Sequence, residues 1–245
     1  MPKVQLIEFT GKGRVDEEWH AANILIFTKA TRLKMTPELM TEITHYTNER
    51  RLEELEYMAT TIRSSWEFVD LTFLISDVTR ACAQQITRTR TGSYAMQSQR
   101  VTNMSSAAVT NPFFPDTQGY QLFNEAVYVA MTAYEDLIDS GAAAQDARGL
   151  LPMNVTTNLV AKYNLRAWAD LVTSRSSLRT QEEYREVISG MISQTLQAWP
   201  WVSMFMLPND EEAIRMLEEA AGTVTPGVEP GWTIAKAIDL LRRNK

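Results

Sequence analysis

Arg88-Thr89-Arg90-Thr91-Gly92-Ser93-Tyr94-Ala95-Met96-Gln97-Ser98-Gln99-Arg100 places three arginines, two serines and a glycine within one short stretch. Each arginine offers a planar, permanently charged fork of N–H donors that matches phosphate or carboxylate oxygens. Ser93 and Ser98 add small hydroxyl donors, and Gly92 lets the backbone approach a ligand closely. The stretch also has a plainer explanation. Arg88 would close a helix, where its charge favours the negative end of the dipole, and the remainder would be a polar surface loop.

Working outward, the texture on both sides points to α+β. Upstream, Trp66–Ser76 carries Phe68, Val69, Leu71, Thr72, Phe73 and Ile75 and reads as a strand. Asp77 then reads as the cap of a helix from Val78 to about Arg88. Downstream, Val101–Thr117 is rich in Ser, Thr, Asn and Pro, a loop long enough to suggest a functional excursion or a lid. Gln121–Ser140 follows as a helix with Leu122, Ala126, Val129, Ala133 and Leu137 on its apolar face, ended by Gly141. A short helix, Ala144–Leu151, stops at Pro152. Asn158–Ser174 reads as an amphipathic helix, and Thr180 as the cap of another reaching about Trp199. At the N-terminal side, Val4–Phe9 alternates as a strand, Trp19–Thr28 reads as helix with Ile24–Phe27 as an alternative short strand, and Thr36-Pro37-Glu38 opens a helical segment through Ile62. Residues 208–245 read as a C-terminal helical extension, with one acidic helix between Pro208 and Pro230 and another over Ile234–Arg243. The predicted organisation is therefore a helix-rich domain over 1–207 with a central mixed or antiparallel sheet, followed by that extension.

The totals exclude several classes. A chain of 245 residues with net charge −6 has no generic basic surface for nucleic acid. No apolar run approaches the roughly 20 residues of a membrane helix, and the N-terminus lacks a signal peptide's regions. A cytoplasmic protein is expected. Cys82, the only cysteine, falls among Val78, Ala81 and Ile86 at helical spacing and reads as core. His20 and His45 have no metal-ligand spacing. No Gly-x-Gly-x-x-Gly, Walker loop or Gly-x-Ser-x-Gly elbow is present.

Two further polar groupings interrupt the apolar periodicity. One is Gln145-Asp146-Ala147-Arg148-Gly149-Leu150-Leu151-Pro152. The other is Asn164-Leu165-Arg166, followed by Asp170, Arg175 and Gln181–Arg185. Arg166 and Asp170, four apart, would form an ordinary helix-surface ion pair. Three Arg-rich groupings on a net-acidic chain together suggest an anionic ligand.

In this order the motifs resemble those of the flavin-dependent thymidylate synthases, over roughly residues 20 to 205. The family's Arg-His-Arg, seven residues, Ser signature matches Arg88-Thr89-Arg90 through Ser98, extended by Gln99-Arg100. Ala147-Arg148-Gly-Leu-Leu-Pro152 is similar to its Ala-Arg-x-x-Leu-Pro element. Asn164-Leu-Arg166-Ala-Trp, Arg175 and Thr180-Gln181 resemble its C-terminal segment. Phe27–Arg32 and Ser65–Phe68 stand where two N-terminal elements belong. Four positions depart: Thr89 replaces the signature His, Phe68 replaces an upstream His, Asp170 replaces Asn or His, and Val101 replaces Tyr.

The resemblance implies an enzyme assembled as a homotetramer with active sites between subunits. It implies FAD as cofactor, with NADPH and methylenetetrahydrofolate as co-substrates, and C5 methylation of dUMP to dTMP. By the same resemblance Gln85, Ser98, Gln99, Arg100 and Arg148 hold the nucleotide, and Arg175 faces the pyrimidine carbonyl as the catalytic cation. Arg88, Thr89, Arg90, Asn164, Arg166 and Asp170 lie along the flavin, where Asp170 introduces an anion. Two alternatives stand beside this reading: a changed product or substrate (hydroxymethylation, or dCMP), and a nucleotide-binding homologue that has lost catalysis.

Overall fold

A computed structural model describes residues 2–32, 35–111, 116–177 and 179–206. The expected C-terminal extension lies outside the described residues.

Four strands form one sheet: β1 (Lys3–Phe9), β2 (Asp70–Thr79), β3 (Ser93–Met96) and β4 (Thr156–Asn164), in the order β1-β2-β4-β3. Every pairing is antiparallel, so the sheet is not mixed. In β2, period-two alternation sends Leu71, Phe73 and Ile75 to the buried face, opposite Tyr163, Ala161 and Leu159 of β4. Tyr94 and Met96 of β3 join the same rows. Thr72, Lys162 and Ser93 lie on the opposite face, where Lys162 pairs with Asp70 at 2.9 Å.

Helices α1 (Glu17–Lys29), α2 (Pro37–Thr44), α3 (Asn48–Thr61), α4 (Arg80–Ile86), α5 (Thr117–Asp139), α6 (Ala144–Ala147), α7 (Leu165–Arg175) and α8 (Glu182–Ala198) complete the described chain, with 3-10 turns at Ala30–Arg32, Arg63–Phe68, Arg148–Leu150 and Pro200–Phe205. The core runs between the sheet, α1, α7 and α8, and is sealed by aromatics. Trp199 stacks on Trp201 at 5.2 Å, and Phe205 meets Trp66 edge-on at 4.8 Å. At Gly190 of α8 a Cβ would come within 2.9 Å of the Val4 side chain, so a glycine lets the helix lie on β1.

Several local expectations are corrected. The segment from Pro37 to Ile62 is two helices, because Thr47 caps a new start by accepting from the Arg50 N–H. The chain over Arg63–Phe68 is a 3-10 turn, and the strand begins at Asp70. Asp77 is no cap: it sits at φ +58° where the β2–β4 register shifts, held by Lys3 at 2.8 Å. Aspartate tolerates this left-handed backbone better than most residues. The strand continues to Thr79, whose hydroxyl accepts from the Cys82 N–H at 3.1 Å and caps α4. The Glu183 carboxylate accepts from both the Thr79 N–H and its hydroxyl, at 2.7 and 2.6 Å, and so ties α8 to this corner.

The expected helix Asn158–Ser174 is instead a strand followed by a helix. Thr157, Leu159, Ala161 and Tyr163 alternate inward, and Asn164 caps α7. At the head of α8 the cap position belongs to Gln181 rather than Thr180. The long helix α5 begins at Thr117, capped by Asp116, and is placed differently from the expectation. Its anticipated core stripe lies open: Leu122, Val129 and Leu137 are 68%, 65% and 39% exposed, and only Tyr134 is buried.

Candidate functional site

The site is built around the corner where α4 hands the chain to β3. Arg88 and Thr89 close the helix through N–H donation to Gln85 and Ile86 carbonyls, and the Gly92 N–H donates to the Thr89 carbonyl at 3.2 Å. The chain then turns into β3 along the β4 edge, so the second half of the arginine stretch is a strand rather than a loop. Arg88 and Arg90 are exposed and pair with no carboxylate among the described residues.

Three tyrosines form the floor beneath this turn. Tyr94 donates to the Thr89 carbonyl at 2.7 Å and meets Tyr163 edge-on at 5.9 Å. A Cβ on Gly92 would come within 2.5 Å of the Tyr163 ring and 2.6 Å of the Tyr94 hydroxyl, which is why this position is glycine. Tyr184, from α8, brings its phenol to the Thr89 side chain, and the Arg175 guanidinium lies 5.7 Å from the Tyr184 ring centre. Burial pushes the Tyr94, Tyr163 and Tyr184 phenols above their ordinary range, so all three stay protonated at neutral pH. Burial does the same to the Cys82 thiol, which is a core side chain as expected. The sequence reading does not single out Tyr163 or Tyr184; both fall on inward positions that look like ordinary core.

The predicted nucleotide residues are spread over four places in the fold: α4, the bend at Ser98–Arg100, the 3-10 turn at Arg148 and the end of α7. Gln85 of α4 donates its side-chain amide to the Gln181 side chain at the head of α8. Ser98 accepts from the Arg100 N–H at 3.3 Å in a tight bend, leaving the Arg100 side chain exposed, while the Gln99 amide nitrogen is buried without a partner. Arg148 is exposed, and among the described residues its side chain bonds only the Gln145 carbonyl, at 3.2 Å. Arg175, the last residue of α7, has its Nε buried and unpartnered.

The stretch after Arg100 is anchored over 101–111, where a lid was expected. The Met104 N–H donates to the Tyr134 hydroxyl at 3.0 Å, Val109 bridges Val155, and Thr110 and Asn154 exchange two bonds. Met104, Tyr134, Ala147 and Val155 make a small second core there.

On the side expected to face flavin, the polar groups hold one another. The Asn164 side chain accepts from the Ala167 N–H at 2.8 Å as the α7 cap. Arg166 pairs with Glu67 at 2.7 Å, and Asp170 pairs with Arg63. The expected Arg166–Asp170 pair does not form, because the 3-10 turn Arg63–Phe68 offers each a partner of opposite sign. The Asp170 anion is thereby compensated.

A surface cavity of about 340 Å³ lies beside Gln181, lined by Asp77, Thr110, Asn154, Glu182, Glu183 and Glu186 among others. Its carboxylates repel a phosphate, so an anionic ligand belongs on the arginine side. Among the described residues no His/Cys/Asp/Glu group could hold a metal ion, and no helix is long and apolar enough to cross a membrane.

The family model described as thymidylate synthase complementing protein matches residues 15–201. The chain belongs to that family. Proteins named flavin-dependent thymidylate synthase are similar to it. That of Geobacter sulfurreducens is 30% identical over 185 residues, covering 74% of each chain. That of Pyrococcus furiosus is 30% identical over 134 residues, covering 52% of this chain and 55% of the relative. In matches of that kind the chain spans little more than half the relative's length. Among solved structures, the UMP/dUMP methylase PolB from Streptomyces cacaoi, bound with 5-Br dUMP, has the same fold: TM-score 0.64, 18% identity, 84% of this chain and 94% of that one. Membership of the thymidylate synthase complementing family thus rests on sequence, and the α+β fold on both chain and neighbour.

Proposed function

We propose that this chain transfers a one-carbon unit from methylenetetrahydrofolate to C5 of dUMP, with FAD as cofactor and NADPH as reductant. The reading is carried by five arginines of the three polar groupings, Arg88, Arg90, Arg100, Arg148 and Arg175, none of which has a carboxylate partner among the described residues of a net-acidic protein. Unpaired guanidinium groups beside orphaned donors on Arg175 and Gln99 suit anionic ligands with several oxygen acceptors, as FAD and a nucleotide both are. The names of the family's relatives and of the solved methylase support the same substrate class.

In this reading Gln85, Ser98, Gln99, Arg100 and Arg148 bind and orient the nucleotide. Arg175 stands at the pyrimidine carbonyl, where a fixed cation favours charge developing on the ring. Arg88, Thr89 and Arg90 hold the flavin from the α4 end, and Asn164, Arg166 and Asp170 line it from α7. Bound FAD supplies hydride chemistry; the protein supplies grip, orientation and exclusion of water. Cys82 takes no part, being buried with its thiol pKa raised. The Arg63–Asp170 pair weakens the case for a changed product, since the carboxylate that would alter the flavin's surroundings is already neutralised.

Self-association belongs to the proposal. The open stripe Leu122–Val129–Leu137 of α5 is the kind of apolar face that a second copy covers, and a homotetramer is the expected assembly. A cytoplasmic location accords with this chemistry.

The test is direct. The purified protein should show flavin absorption, alone or after adding FAD. With dUMP, methylenetetrahydrofolate and NADPH it should yield a nucleotide heavier by one methyl group. A hydroxymethyl or cytosine product would favour the changed-reaction alternative, and failure to bind any flavin would overturn both enzyme readings in favour of a nucleotide-binding homologue.

A further inference from the structure

Tyr184 is 1% exposed, yet its hydroxyl has no hydrogen-bond partner of ordinary geometry among the described residues. A buried hydroxyl left unsatisfied is destabilising, so such a group calls for a reason other than stability. Its surroundings supply one. The Thr89 side chain approaches the phenol without closing a bond of ordinary geometry. The Arg175 guanidinium lies 5.7 Å from the centre of the same ring, and its Nε is also buried and unpartnered. From the other side Tyr94 holds the Thr89 carbonyl at 2.7 Å. One buried side chain on α8 therefore meets both the turn that carries Arg88 and Arg90 and the last residue of α7.

We propose that Tyr184 is a positioning residue that couples the Arg88–Arg90 turn to Arg175, so that binding at one sets the geometry of the other. The inference rests on the nucleotide-and-flavin reading above and extends it to Tyr184, which lies within the Gln181–Arg185 grouping but is given no role there. Tyr184 touches neither ligand: its hydroxyl is fully enclosed, and it acts through Thr89 and Arg175. When an anion draws the Arg175 fork outward, the ring beneath it moves or is freed. The Tyr184 hydroxyl can then close onto Thr89, fixing the turn. The unsatisfied phenol is what makes such a step downhill.

The experiment uses the full chain as wild type, Tyr184→Phe, Thr89→Val, Thr89→Ser and the Tyr184→Phe/Thr89→Val double variant. FAD binding is followed by flavin fluorescence with and without dUMP, dUMP binding by calorimetry, and folding by thermal melting, all without turnover. Wild type should bind FAD more tightly when dUMP is present, by the fivefold or more typical of coupled sites. Tyr184→Phe should melt at or above the wild-type temperature, having lost an unpaired buried hydroxyl, yet lose most of that coupling. Thr89→Val should lose it equally, the double variant should lose no more than either, and Thr89→Ser should keep it. A Tyr184→Phe protein with wild-type coupling, or losses that multiply in the double variant, overturns the proposal while leaving the functional reading intact. A wild-type protein that binds neither FAD nor dUMP overturns both.

Discussion

Arg100 shows how much one residue can carry and how its role can be isolated. It follows a bend closed on Ser98, its side chain is exposed, and no carboxylate competes for its guanidinium among the described residues. Arg100→Ala should weaken dUMP binding by about 1.5–3 kcal/mol, the range for a hydrogen bond to a charged group. Its melting temperature should stay at the wild-type value, since among the described residues no hydrogen bond or ion pair uses the side chain. Calorimetry on the folded variant reads the first, and unchanged affinity would remove Arg100 from the site. Asn164 is the opposite case, a predicted ligand residue with a structural duty. Its side-chain oxygen caps α7 at 2.8 Å. Asn164→Ala should lower stability by about 1 kcal/mol, while Asn164→Asp should keep the cap. Asn164→Asp exchanges the amide's donors for a charged carboxylate, so weaker FAD binding at equal melting temperature places this side chain beside the cofactor.

At the scale of the element, α5 is the informative one. Its 23 residues place a single side chain, Tyr134, fully inside, whereas the periodicity of Leu122, Val129 and Leu137 is that of a helix with a partner. Among the described residues no element covers that stripe, and under the proposed self-association a second copy would. Leu122→Glu with Val129→Glu should therefore shift the protein to smaller species in sedimentation velocity, with the far-ultraviolet circular dichroism unchanged. If the size stays the same, the stripe is not the interface.

For the whole molecule, pH reads the core. Cys82, Tyr94, Tyr163 and Tyr184 all have pKa values raised in the folded state, chiefly by burial. Unfolded, the thiol titrates near about 8.5 and the phenols near about 10. Above those values the unfolded chain loses protons that the folded chain keeps, so deprotonation draws the equilibrium toward unfolding. The stabilisation is whole below about pH 8.5 and declines as pH rises toward the folded-state values. Melting temperature should fall from about pH 8.5 upward, and Cys82→Ala should delay the onset toward the phenol range. A melting curve unchanged through about pH 11 would contradict the burial of these groups.

How much of this was legible in the chain depended on whether the signal was local. The order of the motifs around Arg88–Arg100, Arg148 and Arg166–Arg175 is a linear property, and it identified the family without any coordinates. Cys82 as core, the α+β class and the strand β1 were legible in the same local way. The boundaries failed where tertiary pairing overrides propensity. Thr156–Asn164 has apolar residues that serve a helix as well as a strand, and only the β2 edge makes it β4. Asp77 looks like a cap until a register shift in that pairing puts it in the left-handed region and passes the role to Thr79. The ion pairs Arg63–Asp170 and Arg166–Glu67 join positions about a hundred residues apart, so a four-residue spacing rule chose the wrong partners. The meeting of Thr89, Tyr184 and Arg175 is of the same kind. Sequence determined which side chains could bind an anion, because charge and hydrogen-bonding capacity belong to the residue. Tertiary structure decided which of them have partners and which do not, because desolvation and pairing depend on what the fold brings alongside.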